Sequence, residues 1–189
     1  MTLSRDDVVV RAGPFSRAER DALPDDGRRH ELLDGVLLMT PAPSTRHQDI
    51  VARLFVALSA AAPRSAKVLI APFDVALSPA TVIEPDVVVA RRIDVTDRDL
   101  PTAPLLAVEV LSPSTRLFDL GRKKELLEQA GCPSYWVIDP DGPELTALEL
   151  RDGRYVEVAR VSAMQTWTAT APYDVTIVPR DLLDDLLDD

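Results

Sequence analysis

The run Leu105-Leu106-Ala107-Val108-Glu109-Val110-Leu111 is apolar at every position but one. Its length and composition suit a buried strand, so the fold must find something for the carboxylate of Glu109 to do. A second run, Asp86-Val87-Val88-Val89-Ala90, opens on a carboxylate as well. An ionised group in an apolar interior is costly unless it is paired or binds a metal. Both strands therefore demand cationic partners, and a lysine from a neighbouring helix is the natural one.

Composition narrows the classes. With 189 residues, 46% apolar and 28% charged, the chain suits one compact domain with a sizeable core. We read an N-terminal tail over residues 1–14, a single α/β domain over 15–180 and an acidic C-terminal tail over 181–189. No apolar run approaches the length of a bilayer span, and the start lacks the pattern of a signal peptide. A cytoplasmic protein without a membrane partner is expected. One cysteine and two histidines exclude an internal disulfide and a thiolate or imidazole zinc cluster. Any metal would be held mainly by oxygen. The net charge of −10 argues against nucleic-acid binding over the whole surface, though not against a local basic cleft.

Periodicity and turn residues predict the elements. A short helix is expected around Ser16 to Leu23, then a hairpin across Asp34-Gly35 within residues 30–39. From Ser44 to Ala62, with Ser44 as N-cap, apolar residues recur at helical spacing. Lys67 to Pro72, Asp74 to Leu77, Asp86 to Ala90 and Leu105 to Leu111 read as neighbouring strands of one sheet. A second long helix is expected from Leu117 to Ala130, stopped by Gly131-Cys132-Pro133. Ser134 to Asp139 reads as a strand, and Leu145 to Leu150 with Tyr155 to Val161 as a hairpin joined at Asp152-Gly153. Residues 181–187 have the spacing of a short amphipathic helix.

On the second long helix, the apolar direction averaged over Leu117, Leu120, Leu126, Leu127 and Ala130 lies roughly 30° from Lys123 and about 70° from Lys124, at 100° per residue. Lys123 thus points inward and needs carboxylate partners, for which Asp86 and Glu109 are the candidates. Two carboxylates and a backbone carbonyl, that of Val110, suit Mg²⁺ or Mn²⁺ with waters retained. Such an ion activates water for attack on phosphorus, and an ammonium beside it stabilises the developing charge. Ser112, just after the strand, is placed to support the shell by hydrogen bonding.

Pro85-Asp86, Glu109-Val110-Leu111-Ser112-Pro113-Ser114-Thr115, Asp119, Lys123, Gly131 and Tyr135-Trp136-Val137-Ile138-Asp139-Pro140, in that order, resemble the Uma-two (Uma2) family within the PD-(D/E)XK nuclease superfamily. His30-Glu31-Leu32-Leu33-Asp34-Gly35 and the helix near His47-Gln48 fit its opening blocks. The resemblance covers about residues 15 to 180. It implies a restriction-endonuclease-like fold with a mixed central β-sheet flanked by helices, a divalent-metal site and DNA as substrate. The motif's acidic residues fall on Asp86 and Glu109. Its lysine is not at position 111, which is Leu, and corresponds instead to Lys123. Leu127 stands where a tyrosine is common in the family.

Four further residues are secondary candidates. Glu31 is either an additional carboxylate on the metal side or an exposed hairpin residue. His47 is either packed in the helix interface or catalytic, Ser112 supports the shell, and Asp119 pairs with Lys123 at i, i+4 spacing. Arg91 and Arg92 are placed to meet phosphate or solvent, while Tyr135, Trp136 and Cys132 read as core. The leading expectation is a Mg²⁺-dependent DNA endonuclease working as a homodimer. The alternatives are a nuclease-fold interaction module using its carboxylates structurally, and a metal-dependent RNA or nucleotide hydrolase.

Overall fold

The structure, a computed structural model, describes residues 8–183. Its first half runs β1 (Val9–Arg11), α1 (Arg17–Asp21), β2 (Arg29–Leu33), β3 (Val36–Thr40), α2 (Thr45–Ala61), β4 (Ala66–Ile70), β5 (Asp74–Ser78), β6 (Thr81–Ile83), β7 (Val87–Arg91), β8 (Asp99–Leu100) and β9 (Leu106–Val110). A helical segment comes next, made of α3 (Arg116–Phe118), a π-helical turn (Asp119–Lys123) and α4 (Lys124–Gln129). The remaining elements are β10 (Ser134–Asp139), β11 (Glu144–Arg151), β12 (Arg154–Ser162), β13 (Trp167–Ala169), β14 (Val175–Ile177) and a 3₁₀ turn (Pro179–Leu182).

Two six-stranded sheets dominate. The outer sheet has the order β1-β3-β2-β6-β5-β8 and the central sheet β12-β11-β10-β9-β7-β4. Pairing is antiparallel except for β5 with β8 and β9 with β10. β13 and β14 form a small separate ribbon. Apolar side chains leave both faces of the central sheet. On one face Val87, Val89, Val108, Val110, Trp136 and Ile138 pack with Ile50, Leu54 and Leu58 of α2 and with the ribbon. On the other, Val88, Ala90, Ala107, Leu111, Tyr135 and Val137 meet Leu33, Leu38, Val75, Ile83 and Leu100 of the outer sheet, and Leu126 and Leu127 of α4. A sheet buried on both faces reads as continuous apolar runs, which is why residues 86–90 and 105–111 look as they do.

The local signals act where expected. Ser44 caps α2 by accepting the His47 N–H at 3.2 Å, and the helix stops at Ala62, held extended by the following Pro63. Asp34 and Gly35 take φ of 53° and 80°, as a type I′ hairpin turn needs. After α4, Gly131 has φ of 80°, and the N–H groups of Gly131 and Cys132 reach back to the carbonyls of Glu128 and Leu127. That is the Schellman closure.

Three of these expectations change. Residues 9–11, assigned to a tail, pair with β3 because Val9 to Arg11 complete the outer sheet. β5 lies in the outer sheet and not beside β4: after Ile70 the chain crosses between layers, and an apolar run carries no information on which sheet it joins. The packed body also continues past residue 180, since Leu182 and Leu183 are buried against α2 and the ribbon. The amphipathic helix expected over 181–187 falls mostly outside the described residues.

The second long helix is interrupted by the π turn, which takes in an extra residue and rotates the turns after it. Leu117 and Leu120, expected inside, are 86% and 44% exposed. Lys123 is buried nonetheless.

Leu54 has no exposed surface and joins α2 to the central sheet. Leu54→Ala is expected to lower the unfolding free energy by about 2–5 kcal/mol, measured by urea denaturation with the m-value unchanged.

Candidate active site

The site grows out of strand alternation. Along β9, Val108 and Val110 face α2 while Ala107 and Leu111 face the outer sheet, so Glu109 points into the layer between the sheets. Asp86, two residues before Val88, turns to the same side, as does Glu31, two residues before Leu33 on β2. The π turn closes the layer from above. Asp119 and Lys123, four residues apart on it, both face inward. Glu31, Asp86, Glu109, Asp119 and Lys123 are all between 0% and 3% exposed.

Lys123 Nζ is the hub. It lies 3.0 Å from Glu31 Oε2, 3.2 Å from Glu109 Oε1 and 3.2 Å from Asp119 Oδ1. Only the Glu109 contact has hydrogen-bond geometry, so Glu31 Oε2 and Asp119 Oδ1 are buried oxygens held by charge alone. The other Glu31 oxygen accepts the Glu84 N–H at 2.8 Å. Tyr135, fully buried on β10, donates its hydroxyl to the backbone carbonyl of Asp119 at 2.8 Å. This bond anchors the π turn that carries Lys123.

Asp86 is held differently. Its Oδ1 accepts from Arg29 Nη1 at 3.0 Å, and its Oδ2 meets His47 Nε2 at 3.0 Å and the Val110 N–H at 2.8 Å. Arg29 also donates to the Glu84 carbonyl. Leu111 gives its N–H to Ile138 on β10, so alternation turns the amide and carbonyl of Val110 the other way, toward β7 and Asp86. In the continued register of β7 with β9, residue 110 falls opposite Pro85, which has no N–H to offer.

The electrostatics depend on the partners of each group. Burial alone would raise the Asp86 carboxyl, but His47, Arg29 and Lys123 hold it well below the usual carboxylate range. Burial pushes Glu109 well above that range; Lys123 opposes the shift, and the nearby Asp119, Asp86 and Glu31 add to it. Asp119 is raised for the same reasons, and Glu84 is pushed up to about 7, chiefly by burial and then by Glu31. Burial opposes the charge on Lys123, yet Glu109, Glu31 and Asp119 outweigh it and keep the ammonium firmly protonated. Four carboxylates thus face two fixed cations, Lys123 and Arg29, so burial and mutual repulsion oppose ionisation of all four at once.

A hard divalent cation fits this donor chemistry. Carboxylates outnumber the fixed cations, the donors are oxygen, and the buried carboxylate oxygens Glu31 Oε2, Glu84 Oε2 and Asp119 Oδ1 lack hydrogen-bond partners. Among the described residues no three His, Cys, Asp or Glu side chains form a ready-made metal cage. A hard cation that keeps several of its waters needs only one or two protein carboxylates. All five buried residues together with Arg29 and His47 line a cleft of about 340 Å³, walled by residues 40–44 and 111–115.

The structure brings Asp86, Glu109, Lys123, Glu31, His47 and Asp119 together. Glu31 is a buried partner of Lys123, His47 a partner of Asp86, and the Asp119–Lys123 pair is buried. Ser112 lines the cleft but spends its hydroxyl on Ser114, Thr115 and the Thr115 N–H, shaping the loop into α3. Arg91 pairs with Asp94, and Arg92 bonds the carbonyls of Arg64 and Ala66, so neither lines the cleft. Trp136 packs edge-on against Trp167 in the core. Arg29 and Glu84 escaped the sequence reading; Arg29 had a signal, since it lies two residues before Glu31 on the same strand face.

Comparison with known proteins agrees with the fold. The sequence model of the family described as "Uma2: Putative restriction endonuclease" matches residues 17–178. A comparison with curated proteins finds no match. Among matching solved structures is that of a protein from Anabaena variabilis ATCC 29413 described as a putative nuclease belonging to DUF820. It is 17% identical, with a TM-score of 0.73 over 89% of this chain and 97% of that one. At that identity the likeness shows the fold, and the layered mixed sheets are those of a restriction-endonuclease-like protein.

Charge imbalance makes the members of the cluster unequal. Lys123→Met should lower the stability of the metal-free protein by about 3–5 kcal/mol, because Glu31, Glu109 and Asp119 lose their shared cation. Glu31→Gln, which keeps the acceptor for Glu84 N–H, should be neutral or stabilising in chemical denaturation. A loss with Glu31→Gln as large as with Lys123→Met would refute the surplus-charge account. Tyr135→Phe should cost about 1–2 kcal/mol for the unsatisfied Asp119 carbonyl, read by thermal unfolding.

Proposed function

The chain belongs to the Uma2 family, described as putative restriction endonucleases, and on that premise we propose that it is a DNA endonuclease dependent on Mg²⁺ or Mn²⁺, acting in the cytoplasm as a homodimer. One observation carries the reading: Asp86, Glu109 and Lys123 converge at the floor of a cleft that solvent reaches. A divalent ion held there by Asp86, Glu109 and the Val110 carbonyl would polarise the phosphate and lower the pKa of water.

The chain's own groups do the rest. Asp86 is kept ionised by Arg29 and His47, so it is ready as a ligand without giving up a proton. In hydrolysis the water oxygen bonds to phosphorus and one P–O ester bond breaks, while negative charge grows on the non-bridging oxygens. Lys123 stands beside that charge with its ammonium already oriented by three carboxylates, so little reorganisation is needed. Arg29, on the Asp86 side of the cleft, offers a second cation to phosphate. Two copies would supply two sites, one for each strand of a duplex.

A second reading has one observation in its favour. Both Asp86 oxygens already have protein donors, as they would in an interaction module that keeps the fold and uses its carboxylates structurally.

Calorimetry with Mg²⁺ and Mn²⁺, run beside plasmid cleavage, separates the two. Asp86→Ala and Glu109→Ala are expected to lose ion binding and cleavage together. Lys123→Ala should keep ion binding and lose about 10²–10³ in rate. A wild type that binds neither ion at about millimolar concentration and leaves DNA intact would establish the structural reading.

A further inference from the structure

A second chamber adjoins the cleft, and no step of the proposed hydrolysis uses it. Its volume is about 490 Å³, within the range of small-molecule sites. The walls are Pro41 and Pro43 from the loop after β3, Val51 and Ala52 from α2, and Ile70 and Pro72 from the end of β4. The floor is Arg29, His47 and Asp86, the same three residues that bound the catalytic cleft. The two spaces are thus joined at Asp86, with the 41–43 loop standing between them.

We propose that this chamber receives an unpaired nucleobase next to the phosphate bound over Asp86 and Glu109, so that the enzyme cuts DNA where a nucleotide is out of the duplex stack. The inference rests on the nuclease reading and deepens it. Three observations support it. The walls are mostly apolar, with Arg28 and Gln48 among the lining, which suits burial of a base by contact more than readout of its edges, so the preference is for an exposed base and not a sequence. Ile70 is 42% exposed at the chamber wall, an apolar side chain in want of cover. The net charge of −10 is poorly matched to gripping duplex phosphates over a long footprint, so affinity must come from a compact contact of another kind. A base can enter a chamber beside the bound phosphate only by leaving the stack, as a free or extruded base has.

The test measures binding by fluorescence anisotropy with Ca²⁺ in place of Mg²⁺. The probes are a short single-stranded oligodeoxynucleotide carrying one 2-aminopurine, its perfect duplex, and a duplex with one bulged 2-aminopurine. The single strand is expected to bind about tenfold more tightly than the perfect duplex. Ala52→Trp, on the exposed side of α2, fills the chamber and should remove that tenfold advantage, with melting temperature and ion binding unchanged. Ile70→Trp serves as a second filling variant. Tight binding of the bulged duplex identifies an extruded nucleotide as the source; binding of the single strand alone identifies a free strand. Both support the chamber. Equal affinity for single strand and perfect duplex, unaffected by either tryptophan, overturns it while plasmid cleavage leaves the nuclease reading intact. A wild type that neither binds nor cuts any of these DNAs overturns both.

Discussion

Lys123 brings a positive charge into a layer between two sheets that already holds four carboxylates, and the rest of the site is arranged around that fact. In a low-dielectric interior an unpaired charge is far costlier than a lost surface contact. The ammonium therefore cannot leave without stranding Glu31, Glu109 and Asp119, and those three cannot all be satisfied by one lysine. The residual imbalance is itself informative. A fold built only for stability would have matched the charges or replaced them with apolar side chains of similar volume, which is commonly neutral or stabilising. Retaining more carboxylates than cations beside a solvent-reached cleft is what the proposed divalent-cation site would require.

The two motif carboxylates sit only one strand apart yet have opposite electrostatic characters. Asp86 has three donors on its two oxygens and is held ionised. Glu109, deeper among other acids, has the Lys123 hydrogen bond and is pushed toward protonation. The same interlayer thus contains a fixed anion and one whose charge depends on what cation approaches. Their separation in behaviour comes from position within the layer: Asp86 precedes β7, within reach of Arg29 on β2 and His47 on α2, and Glu109 lies in the middle of β9 beside Lys123 and other acids.

Much of this was legible along the chain. Asp86 and Glu109 stood out because a carboxylate in an apolar strand has few explanations, and the hairpin at Asp34-Gly35 and the helix capped by Ser44 came from turn and capping chemistry. Helical periodicity puts Lys123 inside, and it is inside although the helix is not regular. Leu117 and Leu120 show the limit of the same method. A π turn depends on the Tyr135 hydroxyl and on the buried charges below it, none of which a period of 3.6 residues encodes. Likewise the burial of Glu31 depends on β2 lying over the central sheet, and the pairing of His47 with Asp86 joins residues 39 positions apart.

What the sequence determined by itself was the set of local choices. Strand alternation decided which side chains share a face, glycine and capping residues decided where elements stop, and the carboxylates within apolar runs decided that cations must be found for them. Only the tertiary structure decided which cations these are, that Arg29 and His47 take Asp86 while Lys123 takes the other three, and that β5 joins the outer sheet. The reason is physical: local propensity acts through neighbours in the chain, whereas the energy of a buried charge is set by whatever groups the layers bring within about 4 Å of it, however far apart they lie in sequence.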